Sequence, residues 1–246
     1  MEKKTFQKPK FGFTNNQLKI IAMVSMLCDH VGLLFFPEAD IFRIIGRIAF
    51  PIFAYMIAEG CRYTKNRAKY LGMIAGMGIV FQLVYLVAMG SLYQGILVTF
   101  SLAIITIYAL DGILKSKKFW TVLASVVSLA FVVFFVFGLP ILLKGTDFDI
   151  DYGFWGILLP VAVYFLPNRI ARTIGTAILL LARAIHYTIV PVALGTLQWF
   201  ALLSVLFLAL YNGERGRAKM KYVFYIFYPA HLVILYGIAI LMLVLK

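Results

Sequence analysis

The chain has 246 residues, 63% of them hydrophobic and 13% charged, against about 45–50% apolar and about 25% charged in soluble domains. This excludes a soluble globular domain, a disordered chain and a collagen-like fibre, and two cysteines in so long a chain exclude a disulfide scaffold. A formal charge of +13 would suggest nucleic acid in a soluble chain, but the bases lie in the segments that connect apolar runs, so no nucleic-acid partner is expected.

A polar, Lys-rich stretch, residues 1–17, precedes the first apolar run and reads as a cytoplasmic segment. That run is full length and lacks a small-residue cleavage site, so no cleavable signal is expected. A helix crosses the hydrocarbon with about 20 mostly apolar residues. By that criterion spans fall at 18–36, 41–59, 70–90, 95–111, 119–143, 152–166, 173–190, 197–211 and 222–244. The expected fold is all-α, a polytopic transmembrane helical bundle of about nine spans forming a single domain over 18–246.

Eighteen of the 23 basic residues gather in alternate connections: Lys3 to Lys19, Arg62 to Lys69, Lys115 to Lys118, Arg169 with Arg172, and Arg215 to Lys221. The opposite connections carry Glu38, Asp40, Asp147, Asp149 and Asp151. Positive charge is retained inside, so the amino terminus is expected to be cytoplasmic and the carboxyl terminus outside. The 152–166 run is short enough to be either a span or re-entrant, and the charge count favours a span. Cys28 and Cys61 lie at different depths and are expected to be free thiols.

Ionisable residues inside spans are costly and mark internal ion pairs or functional sites. The first span holds Asp29 and His30. Eleven residues apart at about 100° each, Lys19 and His30 fall within about 20° of one another, with Met23 and Met26 on the same stripe and Lys19 at its inner end. Neighbours on a helix diverge, so Asp29 is expected to find its partner on another helix. The second span offers Arg43 and Arg47 at i, i+4, with Gly46 allowing close approach and Pro51 freeing the carbonyl of Arg47. Arg43 can be explained by snorkelling to the outer interface; Arg47 lies a turn deeper.

Arg183 and His186 stand i, i+3 in the seventh span, and His231 follows Tyr225 and Tyr228 in the ninth. Gln82 and Tyr85 read as helix-to-helix hydrogen-bonding groups. Ser25 has no base on its own face, and Cys28 sits in an apolar setting that disfavours a thiolate. No phosphate loop or paired-cysteine motif is present, and although Asp29 and the histidines could ligate zinc, nothing in their spacing demands a metal.

Leu18-Lys19, Asp29-His30, Gly46-Arg47-Ile48-Ala49-Phe50-Pro51, Gln82, Tyr152-Gly153 with Gly156, and Phe227-Tyr228-Pro229-Ala230-His231 together resemble the TraX family of membrane proteins that acetylate the amino terminus of conjugative pilin. The closing Tyr-x-x-His is also similar to a signature of the acyltransferase-three membrane enzymes. The resemblance implies an acetyltransferase that draws on acetyl-CoA, with His30, Asp29, Arg47 and His231 as catalytic candidates. It departs near Gln94-Gly95, where an asparagine associated with the family is missing, and at Asp147 to Asp151, which has no counterpart. A peptide, a sugar or an envelope polymer therefore all remain acceptor classes.

On this reading the enzyme sits in a prokaryotic cell membrane among lipids. Cytosolic acetyl-CoA meets the inner bases, with Lys19, Arg43, Arg183 and His186 as donor-binding residues. His30 acts as general base, with an acetyl-histidine intermediate as the variant; Arg47 stabilises the oxyanion, Asp29 holds Arg47, and His231 aligns the acceptor. A proton-coupled transporter is the rival reading, since buried Asp, His and Arg suit it equally, though no inverted repeat is visible. A non-catalytic assembly or immunity protein would leave the intramembrane charges unexplained.

Overall fold

The computed structural model describes residues 11–190, 195–216 and 220–245. Lys3, Lys4, Lys8, Lys10, Arg217 and Lys219 lie outside the described residues, as do the side chains of Lys221 and Tyr225. Among the described residues the elements are helical throughout, joined by isolated backbone bridges. They run α1 (Asn15–Phe35), α2 (Asp40–Gly46), α3 (Ala49–Tyr63), α4 (Arg67–Met89), α5 (Ile96–Lys115), α6 (Phe119–Val133), a π segment (Phe134–Gly138), α7 (Leu139–Leu142), α8 (Gly153–Phe165), α9 (Arg169–Ile189), a 3₁₀ helix (Gly195–Leu203), α10 (Ser204–Ala209) and α11 (Lys221–Val244).

Among the described residues six stretches are long and apolar enough to cross a membrane: α1, α2 with α3, α4, α5, α6 through α7, and most of α11. The other three predicted spans fall on α8, α9 and the 3₁₀ helix with α10. The 3₁₀ winding adds reach. Nine residues at about 2.0 Å and six at about 1.5 Å give roughly 27 Å, close to a hydrocarbon core of about 30 Å.

The described residues pack as two compact units, one made of those up to residue 53 with those from 176 onward, the other of residues 54–175. In the first, α1 packs on α2 and α11. The helix starts three residues before the predicted span because Thr14 and Gln17 form a reciprocal cap: Gln17 Oε1 accepts from the Thr14 amide at 2.8 Å and Thr14 Oγ1 accepts from the Gln17 amide. Near the inner end of α1 the Lys19 ammonium lies 5.0 Å from the Phe224 ring, and further out His30 meets His231. The two helices therefore run parallel. A first and a last span that run parallel require an odd number of crossings, in agreement with nine.

The second predicted span is not one helix. It breaks after Gly46 and restarts at Ala49, which puts Pro51 in the first turn of α3, where its missing N–H costs nothing. A similar cause accompanies the π segment. Pro140, at the start of α7, cannot donate to the carbonyl four residues back, and the winding adjusts just ahead of it.

In the second unit α5 is central, packed on α4, α6 and α8. At its outer end the 146–151 loop joins it: the Gln94 amide donates to the Asp149 carbonyl at 2.8 Å, the Asp151 amide to the Gln94 carbonyl at 2.9 Å, and Thr99 Oγ1 to the Asp151 carbonyl at 2.7 Å. Asp147 accepts from Ser91 Oγ at 2.5 Å and from the Leu92 amide at 2.9 Å, and these bonds hold its carboxyl below the usual carboxylate range. Tyr93 donates to Asp151 at 3.0 Å; burial first, then that carboxylate, pushes its phenol up. At the inner end Tyr164 of α8 donates to Asp111 of α5 at 2.7 Å. The short α8 thus begins level with one end of a span-length helix and finishes level with the other.

Candidate active site

The short loop between α1 and α2 makes them antiparallel, and two glycines let them close. A Cβ at Gly32 would overlap Phe42, and one at Gly46 would overlap the Asp29 carboxylate. That approach sets Asp29 against both arginines of α2. Arg43 Nη1 lies 3.0 Å from Asp29 Oδ2 and also donates to the Asp29 carbonyl at 3.3 Å; Arg47 Nη2 lies 3.4 Å from Asp29 Oδ1. Side-chain exposures of 21% for Asp29, 14% for Arg43 and 10% for Arg47 leave water little access.

Arg43 is therefore no snorkelling residue. It is the closer of the two cations to Asp29, because the turn at 36–39 brings the start of α2 down beside α1 instead of letting it extend outward. The Nε atoms of both arginines are buried without a hydrogen-bond partner among the described residues, so each guanidinium keeps a donor uncommitted there.

His30, next along α1, turns back on its own helix, its Nδ1 3.0 Å from the Met26 carbonyl. His231 on α11 does the same, its Nδ1 2.8 Å from the Phe227 carbonyl. A carbonyl only accepts, so in the neutral rings both Nδ1 atoms carry the proton. His231 Nε2 is then a bare acceptor, and it stands 3.3 Å from His30 Nδ1. The His30 proton is shared between Met26 and His231, which leaves the lone pair of His30 on Nε2. The rings meet edge to face, 5.0 Å between centroids at 61°. Phe227 stacks on His231 at 4.9 Å and 8°; His231 is 4% exposed.

The other expected site residues lie elsewhere. Lys19 is about 16 Å along α1 from His30 at 1.5 Å per residue, against Phe224. Arg183 is buried on α9 with its guanidinium over the rings of Phe50 and Tyr187, at 5.5 and 5.1 Å. His186 is exposed beside Tyr187. Gln82, in the second unit, has its Oε1 buried without a hydrogen bond among the described residues. Among the described residues no three His, Cys, Asp or Glu side chains are grouped to hold a metal.

Sequence reasoning missed two ionic clusters of the second unit. Asp111, 1% exposed, accepts from Arg67 Nη2 at 2.5 Å and faces the Lys115 ammonium at 2.7 Å. Glu59, 2% exposed, accepts from Arg172 Nη1 at 2.7 Å. Arg62 donates to the carbonyls of Val163, Tyr164 and Leu166, and so caps the open carbonyls of α8. The available signal was a lone acid at the inner end of a span otherwise flanked by bases.

A family model described as TraX protein matches residues 14–239. The chain is similar to the probable fimbrial assembly protein FimC, serogroup H1, of Dichelobacter nodosus, at 28% identity over 237 residues covering 91% of this chain and 94% of that one. It is also similar to protein TraX of Escherichia coli, at 33% identity over 88 residues, 35% of this chain and 36% of that one. An uncharacterized protein of Rickettsia prowazekii (strain Madrid E) is 42% identical over 60 residues, 24% of each chain. No solved structure matches.

Proposed function

The chain belongs to the TraX family, which is associated with conjugative pilin processing, and on that premise we propose that it is an integral membrane acetyltransferase. It moves an acetyl group from cytosolic acetyl-CoA to an amine or hydroxyl of a membrane-associated or extracytoplasmic acceptor. The carrying observation is the hydrogen-bonded pair His30 and His231, which leaves His30 Nε2 as a lone pair inside a span.

As the acceptor nitrogen or oxygen attacks the thioester carbonyl carbon, His30 Nε2 takes its proton. The imidazolium that forms donates more strongly through Nδ1 to His231 Nε2, whose own Nδ1 is tied to the Phe227 carbonyl, so His231 is a positioning residue. The tetrahedral oxyanion is held by Arg47, whose Nε is uncommitted; one such donor is typically worth about 3–4 kcal/mol. Asp29 fixes Arg47 and shares its charge with Arg43. Collapse breaks the carbon–sulfur bond, and the CoA thiolate leaves with the proton returned from His30.

CoA phosphates meet Lys19 and the other inner bases. A relative named for fimbrial assembly that aligns over nearly its whole length supports a pilus-type subunit, a peptide amine, among the acceptor classes. The test is calorimetry on detergent-solubilised protein. CoA should bind, more weakly in salt and in Lys19→Ala. Lack of CoA affinity, with substrate-dependent proton flux in liposomes, would favour the transporter instead.

A further inference from the structure

The Asp111 cluster borders a cavity of about 450 Å³ in the second unit, lined by Arg62, Asp111, Lys115 and Tyr164 together with Leu114 and Phe165. Its charges do not balance. Asp111 is the one carboxylate in the lining, and it already faces two cations, Arg67 at 2.5 Å and Lys115 at 2.7 Å. Arg62 adds a third, spent on α8 carbonyls but with a buried Nε that lacks a hydrogen-bond partner among the described residues. Asp111 itself is 1% exposed, whereas the Lys115 and Arg67 side chains are 68% and 48% exposed. Lys115 can therefore turn outward while Arg67 keeps the buried acid paired. Tyr164 donates its hydroxyl to Asp111 and helps to hold the acid in place.

The rim is apolar. Leu114 is 70% and Phe165 39% exposed, and the next helix begins with Phe119 and Trp120 at 70% and 76%. These rings lie beside the basic turn at Lys115 to Lys118, the arrangement found at a membrane interface. A cavity with a net-positive, hydrogen-bonding floor and an apolar lip at that level matches a phosphate carried on acyl chains.

We propose that this cavity is a binding site for the phosphate headgroup of an anionic phospholipid of the cytoplasmic leaflet, held by Lys115 and Arg62, with its acyl chains along Leu114 and Phe165. The same phosphate chemistry exists on soluble nucleotides, but the exposed apolar lip favours the lipid. The site does not depend on the acetyl-transfer reading.

The test is native mass spectrometry of the full-length protein released from detergent, titrated with phosphatidylglycerol and, separately, phosphatidylcholine. Phosphatidylglycerol should bind preferentially. Lys115→Gln, on an exposed side chain that leaves the Arg67 to Asp111 pair in place, should weaken it about fivefold, the effect of one juxtamembrane base. Lys117→Gln, outside the cavity, should leave it unchanged, and Leu114→Gln should weaken retention without altering the charge. Equal loss in Lys115→Gln and Lys117→Gln would show only a diffuse basic surface and overturn the site. Displacement of the bound lipid by free CoA would assign the cavity to a soluble phosphate ligand and overturn the lipid assignment.

Discussion

Replacing Asp29 by Asn should destabilise the α1 and α2 pair far more than its single negative charge suggests. The substitution leaves Arg43 and Arg47 side by side, at 14% and 10% side-chain exposure, with no counter-charge at Asp29. Breaking a buried ion pair from one side costs about 3–5 kcal/mol, and with Asp29 itself 21% exposed the lower end, about 3 kcal/mol, is expected. For a chain of this size that is a fall of roughly 6–12 °C in melting temperature. Gly46→Ala offers an orthogonal perturbation, because its Cβ would occupy the space of the Asp29 carboxylate and displace the anion without removing it, at about 1–3 kcal/mol. The assay is thermal unfolding of detergent-solubilised protein by fluorescence-detected size exclusion, with acetyl transfer measured per folded molecule. Arg43→Gln added to Asp29→Asn removes one orphaned cation and should recover part of the loss. Wild-type melting in Asp29→Asn, or no recovery in the double variant, would refute the argument that this carboxylate neutralises both arginines.

His231→Phe keeps an aromatic ring against Phe227 but removes the acceptor for His30 Nδ1. A hydrogen bond to a charged group is worth about 1.5–3 kcal/mol, so kcat should fall about 10- to 150-fold with the KM for acetyl-CoA nearly unchanged; a pure KM effect would place His231 in donor binding instead. The Asp147 contacts to Ser91 and Leu92 should open in acid. The folded carboxyl titrates below its unfolded value, so its contribution is complete above the ordinary carboxylate range and is lost as pH falls through the depressed folded value. Hydrogen exchange at the Leu92 amide should accelerate only in that acid window, and in Ser91→Ala the window should move upward.

The helical architecture was legible because a span must be apolar over nearly its whole length, and because alternating basic connections count crossings independently of hydropathy. The break after Gly46 was also marked, by Pro51, although sequence suggested a freed carbonyl inside one helix and the chain instead ends one helix and starts another. Arg47 was readable as a partner because a deep cation must be neutralised. Arg43 was not, since near a helix end a long side chain has a second solution in snorkelling, and only the course of the 36–39 turn decides between them. His30 and His231 lie 201 residues apart, and no local pattern announces a contact between two rings that each also bond their own helix. Asp111 and Glu59 escaped for a related reason. At the end of a span an acid looks like an interfacial residue, and burial to 1% and 2% emerges only when neighbouring helix ends close over it.

The most direct test of the account is acetyl transfer by His30→Ala, reconstituted in liposomes with labelled acetyl-CoA and an acceptor peptide amine, with CoA affinity measured on the same preparation. The account predicts a folded protein that binds CoA like the wild type and transfers acetyl about 10²- to 10⁴-fold more slowly, the contribution of a general base. Near-wild-type transfer in His30→Ala would contradict it and remove the paired histidines from the reaction.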